Sequence, residues 1–211
     1  MSHCWKGYSV DYAGSDSGSG ASTATTSVKI VISGGFGAGK TTLVGSVSEI
    51  VPLQTEALMT QAGSGFDDLE GLPDKKTTTV AMDFGRITLD EDLVLYLFGT
   101  PGQYRFWFMW DDITRGAIGA IVLVDTRRLA DCFPALDYFE QRSVPYVVGI
   151  NLFDGQHHHD PEDVREALAV PPQVPIVAVD ARERESTKQA LIKIVEHAVH
   201  RATVGAGTAG R

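Results

Sequence analysis

The chain has 211 residues, 43% of them hydrophobic and 21% charged, which suits one domain with a buried core. Its formal net charge of -9 argues against a nucleic-acid footprint, and no Lys/Arg run marks an anionic membrane surface. No apolar run approaches the ~20 residues a membrane span needs, so direct membrane insertion is not expected. Cys4 and Cys132 are too few for a disulfide framework, and reduced thiols in a cytoplasmic protein are the expectation.

Residues 1–27 form the first segment. Their "AGSDSGSGASTATTS" stretch is small and polar, and it cannot bury enough apolar surface to offset ordering entropy. A disordered N-terminal tail is expected there, with Trp5, Tyr8 and Tyr12 ahead of the linker. From Val28 the pattern changes. "VKIVIS" reads as a buried strand, and a glycine loop follows it. Leu43, Val44, Val47, Ile50 and Val51 then recur at helical spacing.

"TVAMDFGRITL" and "DLVLYLF" predict two strands joined by a turn at Asp90-Glu91-Asp92. "GAIVLVD", "PYVVGIN" and "PIVAVD" predict three more. Helices are expected over about 104–115, 131–142, 161–168 and 187–202, the third opened by Asp160 as N-cap and Pro161 at the first helical position. Leu191, Ile194, Val195, Ala198 and Val199 mark one face of the last. The alternation predicts an α/β fold: a six-stranded, mostly parallel sheet with helices on both faces, its second strand an antiparallel edge. The domain spans 28–202, and 203–211 read as a flexible C-terminal tail.

The stretch "SGGFGAGKTTL", residues 33–43, carries the chemistry. Gly34, Gly35, Phe36, Gly37, Ala38, Gly39, Lys40 and Thr41 fit G-x-x-x-x-G-K-[ST] between a strand and a helix, the context a phosphate loop requires. Glycine lets successive backbone N–H groups turn inward around a phosphate, and the helix N-terminus adds positive potential. Lys40 is assigned to the β- and γ-phosphates and Thr41 to Mg²⁺, with Thr42 beside it.

A phosphate loop alone does not choose a base. Asn151-Leu152-Phe153-Asp154, after the fifth strand, resembles the N-K-x-D guanine motif of small GTPases with Leu152 in place of Lys. A carboxylate at Asp154 would accept hydrogen bonds from guanine N1–H and the 2-amino group. Adenine offers a lone pair at N1, a mismatch on the order of a few kcal/mol when buried. Asn151 is expected to tie this loop to the phosphate loop. Asp180-Ala181-Arg182 resembles the S-A-K element, whose middle N–H contacts guanine O6. It follows a strand, where α/β sheets bind ligands.

"FGTPGQYRF", residues 98–106, resembles the D-T-A-G-Q-E-R-F box of Ras/Rab-type proteins. By that resemblance Gly102 senses the γ-phosphate and Gln103 positions the attacking water. Gly99 stands where those proteins carry a Mg²⁺-associated Asp. "TTTVAMDFG", residues 77–85, resembles the Rab-type T-I-G-V-D-F sequence, which implies Thr79 as the switch I threonine, with Thr77 and Thr78 as rivals. Asp83 is a candidate to supply the missing carboxylate, or else an outward-facing charge. Lys75, Lys76 and Arg105 are the local cations that could serve as an arginine finger. In "QYRFWFMWDD", Phe106, Met109 and Trp110 share one helical face, expected in the core. Trp107 and Phe108 point elsewhere and predict an apolar partner patch, against a reading in which every ring is buried. His157-His158-His159 reads as a solvated loop rather than a metal site.

Together these motifs resemble bacterial small Ras-like GTPases of the MglA type and, more closely, the ATP/GTP-binding proteins encoded in actinobacterial conservons, over residues 28 to about 202. The resemblance implies a Ras-like G domain of the P-loop NTPase class, a GTP/GDP and Mg²⁺ switch that hydrolyses GTP slowly. It also implies a roadblock/LC7-type regulator and a sensor kinase as partners, in the cytoplasm or peripheral at a membrane through those partners. Two other readings stay open: a nucleotide-binding adaptor with negligible turnover, and an ATP-dependent P-loop protein.

Overall fold

A computed structural model describes residues 25–51, 53–58, 79–102, 104–153 and 159–208. Five strands run parallel: β1 (Thr26–Gly34), β4 (Leu93–Gly99), β5 (Gly119–Val124), β6 (Tyr146–Asn151) and β7 (Ile176–Val179). β3 (Thr79–Asp90) lies antiparallel on β4, joined to it by the expected turn. β2 (Leu53–Leu58) pairs antiparallel with β3 and gives a seven-stranded sheet of order β2-β3-β4-β1-β5-β6-β7. The six expected strands are all present. β3 is antiparallel as expected, but it is not the edge, because β2 covers its outer side. "LQTEAL" lacks the apolar run of a buried strand, and an outermost strand does not need one.

Helices cover both faces. α1 (Lys40–Val47) and α5 (Arg184–Thr208) pack on one face, over Ile30, Ile32, Leu97, Ile121 and Leu123. α2 (Trp110–Thr114), α3 (Phe133–Gln141) and α4 (Pro161–Ala167) pack on the other, over Val31, Val122, Val124, Val148 and Ile150. Adjacent residues of β1 and β5 thus serve opposite cores, which is why Ile30–Ile32 and Gly119–Val124 read as unbroken apolar runs. Asp160 caps α4 by accepting from the Glu162 N–H at 2.8 Å, with Pro161 opening the helix.

Several boundaries differ from the sequence pattern. α1 stops at Val47, where the backbone turns extended at Ser48, and Val51 is exposed. The expected helix at 104–115 splits into a 3-10 turn, Tyr104–Met109, and the short α2. A 3-10 segment, Thr126–Cys132, precedes α3. α5 extends beyond the expected range at both ends and continues through Thr208. Its buried stripe holds Leu191, Ile194 and Ala198, whereas Val195 and Val199 face solvent. No helix among the described residues is long and apolar enough to cross a membrane.

Candidate functional site

The C-terminal ends of β1, β4, β5, β6 and β7 share one rim of the sheet, and the predicted phosphate and base loops gather there. The phosphate loop leaves β1 through Gly34 at φ 135°, and a side chain there would collide with the Leu123 carbonyl oxygen. Gly39, at φ 103°, leads into α1, and a Cβ on it would lie 2.4 Å from Asn151 Nδ2. Both positions therefore need glycine for conformation and for space. Gly35 sits against Asp131, Ala38 is buried, and Phe36 and Thr42 face solvent.

Lys40 is buried, and its ammonium donates to the carbonyl oxygens of Gly34 (3.0 Å) and Gly35 (2.6 Å). Burial lowers its pKa from 10.5 to about 8, while the Asp83 carboxylate pulls the other way. Gly102 lies over the same lysine: a Cβ there would sit 2.8 Å from Lys40 Nζ and 2.9 Å from Phe36 Cα. The predicted γ-phosphate sensor is thus packed on the phosphate loop. Ser33 and Thr100 hydroxyls, 3.0 Å apart and buried, fasten β1 to the start of this segment.

The Thr41 hydroxyl donates to Asp83 Oδ2 at 2.7 Å. A Cβ on Gly99 would lie 2.9 Å from Asp83 Cβ and 3.0 Å from Oδ2. Asp83 therefore fills the space that a residue larger than glycine at 99 would claim, and it faces the site rather than pointing outward. A hydroxyl beside a carboxylate is a hard-oxygen donor pair of the kind Mg²⁺ takes, completing its shell with phosphates and waters. The residues present fit that ion. Thr79 opens β3 and is described by its backbone alone.

Asn151 is buried at the end of β6. Its Nδ2 donates to the Ala38 carbonyl at 2.9 Å, and its Oδ1 accepts from the Ala181 N–H at 3.2 Å. One side chain thus joins the phosphate loop, the loop after β6 and the loop after β7. The Ala181 N–H, predicted to face guanine O6, is directed to Asn151 instead. Asp180 and Arg182 bond each other, and the Arg182 guanidinium holds the Asp180 carboxyl below its ordinary pKa.

The aromatic run divides as its spacing predicts. Phe106 and Trp110 are 5% exposed, and Met109 packs against the core. Trp107 and Phe108 are 50% and 45% exposed, which excludes complete burial of the run. Cys132 is a buried thiol on the Leu129 carbonyl, its pKa pushed up to about 11 by burial. Lys75, Lys76, Thr77, Thr78, Gln103, Asp154, His157 and His158 lie outside the described residues, as do residues 1–24. The side chain of Arg105 is likewise not described.

The family described as "Conserved hypothetical ATP binding protein" matches residues 32–201. The chain belongs to that family. It is a nucleotide-binding P-loop protein, and the matched span holds the whole phosphate loop and every other site residue named above. A stretch of 129 residues, 60% of this chain, is 29% identical to the uncharacterized protein MJ1339 of Methanocaldococcus jannaschii and covers 71% of it. The fold is similar to the G domain of the T. maritima FeoB iron transporter, with TM-score 0.56 and 18% identity over 82% of this chain and 99% of that domain. It is also similar to the FeoB cytosolic domain in a GDP form, with TM-score 0.57 and 17% identity over 82% of this chain and 64% of that one. The sheet and its helices are those of a P-loop G domain.

Proposed function

We propose that this protein is a guanine-nucleotide switch that binds GTP and GDP with Mg²⁺ and hydrolyses GTP slowly. The observation that carries the reading is Asn151, which spans from Ala38 in the phosphate loop to Ala181 after β7. That bridge supports seating a base beside Asn151 with its phosphates in the glycine loop. Asp154 then selects guanine through N1–H and the 2-amino group.

Hydrolysis is an in-line displacement. A water oriented by Gln103 attacks the γ-phosphorus, the bond to the β,γ-bridging oxygen breaks, and GDP and inorganic phosphate leave. Lys40 turns from the Gly34 and Gly35 carbonyls to the phosphate oxygens, and the Gly102 N–H binds the γ-phosphate. Thr41, Asp83 and Thr79 would hold the magnesium ion, which would supply charge neutralisation to the phosphates. Trp107 and Phe108, half exposed beyond Gly102, are the face offered to a roadblock/LC7-type regulator or a sensor kinase.

A second reading, an ATP-binding protein, is favoured by the family's own description and by Leu152 in the base motif. Competition of GTP and ATP against labelled GDP on the purified chain separates the two. GTP should displace the label at concentrations at least tenfold below ATP, and Asp154→Asn should move the preference toward xanthosine nucleotides. Equal displacement by ATP, with no change in Asp154→Asn, refutes the guanine reading.

A further inference from the structure

The loops after β5 and β7 carry the same V-D-x-R pattern, "VDTR" at 124–127 and "VDAR" at 179–182, and they make the same Asp–Arg hydrogen bonds. In the first, Asp125 Oδ1 accepts from the Arg127 N–H (3.0 Å) and Nε (2.8 Å), and Oδ2 accepts from Nη2 (2.8 Å). In the second, Asp180 Oδ1 accepts from the Arg182 N–H (3.0 Å) and Nε (2.9 Å), and Oδ2 accepts from Nη2 (2.8 Å). Each arginine is locked as a planar fork by the carboxylate two residues before it.

β5 and β7 are the two neighbours of β6, so the forks stand on either side of the Asn151–Phe153 segment. The Arg127 guanidinium carbon lies 4.1 Å from the centre of the Phe153 ring. Arg182 Nη2 reaches the Leu152 carbonyl at 3.4 Å. Leu152 and Phe153 bring no charge of their own to the loop, so both of these cationic contacts come from adjacent strands. A guanidinium stacks favourably on an aromatic ring, and a pre-bonded fork loses little entropy in doing so.

We propose that Arg127, clamped by Asp125 and laid on Phe153, is a positioning residue for base recognition. It fixes the β6 loop from the β5 side while Arg182 fixes it from the β7 side. The clamp acts on the base end of the ligand, because the Arg127 fork lies on Phe153 in the segment that follows β6. Preorganising this loop removes the ordering cost that a nucleoside would otherwise meet on binding. The inference rests on the proposed function only in seating a purine at the Asn151–Asp154 loop.

The test is calorimetry on the full chain with GTP, ATP and inorganic tripolyphosphate as separate ligands. Arg127→Ala should weaken the preferred purine nucleotide about tenfold and leave tripolyphosphate within about twofold of the parent. Arg127→Lys keeps the stem and charge but cannot reproduce the fork, so it should weaken the nucleotide by about threefold. A purely structural role predicts parallel loss of both ligands. That outcome, or nucleotide affinity within twofold of the parent in Arg127→Ala, overturns the proposal. If Arg127→Ala fails to fold, Arg127→Lys carries the test, and unchanged nucleotide affinity in it is equally fatal. A parent chain that prefers ATP refutes the guanine reading while leaving the Arg127 comparison to be read on ATP.

Discussion

Lys40 gives the sharpest quantitative expectation. With no ligand its ammonium is buried against two carbonyl oxygens and its pKa falls to about 8. Polyphosphate beside it raises that value again, because opposite charge favours the protonated form. At pH 8 the ligand-free lysine is about half protonated and the bound one almost fully so, which means uptake of about half a proton on binding. Between pH 7 and 9 the same difference weakens binding by about tenfold. The assay is calorimetry with tripolyphosphate in two buffers of different ionisation enthalpy, repeated on Lys40→Met. The parent should take up the proton and the variant should not. Zero uptake at pH 8 in the parent, or equal uptake in Lys40→Met, refutes the argument. The unfolded chain keeps the ordinary lysine value, so between about pH 8 and 10.5 it binds more protons than the ligand-free fold. Stability from this group therefore rises with pH across that window, on the order of 3 kcal/mol in all.

Three further expectations concern the neighbouring residues. Gly99→Asp alone should weaken Mg²⁺-dependent nucleotide binding, because its Cβ would press on Asp83 and add a second carboxylate in the same space. Adding Asp83→Gly should recover binding, and a titration with and without chelator reads both variants. Asn151→Ala leaves the Ala38 carbonyl and Ala181 N–H without their present partner, at a cost of about 2–4 kcal/mol. Urea unfolding measures it, and a loss under 1 kcal/mol would mean that the three loops hold together without this side chain. Phe139→Ala, in the fully buried core away from the rim, should cost about 3–5 kcal/mol of stability. Nucleotide affinity measured well below its melting temperature should be unchanged.

Much of this architecture was legible because the signals were local and strong. β5 is a continuous apolar run, β1 and β6 hold shorter ones, and the glycine loop sits between a strand and a helix as its motif demands. Asp160-Pro161 named its helix start because capping depends on neighbours in sequence. β2 escaped because its residues Gln54, Thr55 and Glu56 carry no apolar run, and its pairing with β3 is a tertiary fact. The ends of α1 and α5 escaped for the same reason. In the site, the gap at Gly99 left two readings of Asp83 open, and its hydrogen bond to Thr41 is a tertiary contact that decides between them. The Asp125–Arg127 clamp was readable only by comparing "VDTR" with "VDAR", two segments far apart in the chain that no single motif joins.

The carboxylate next to Thr41 has an unusual dependence on a distant turn. Asp83 sits opposite Gln54, one residue before the Phe84–Phe98 pair of the β3–β4 hairpin. Side chains alternate across a sheet, so sliding β3 by one position would carry Asp83 to the far surface and present an apolar neighbour to the threonine. What prevents the slide is the hairpin bend around Glu91, together with the irregularity between Thr88 and Asp90. Deleting a single residue from that bend, at the opposite end of the strand, would strip Thr41 of its acidic neighbour without touching the glycine loop.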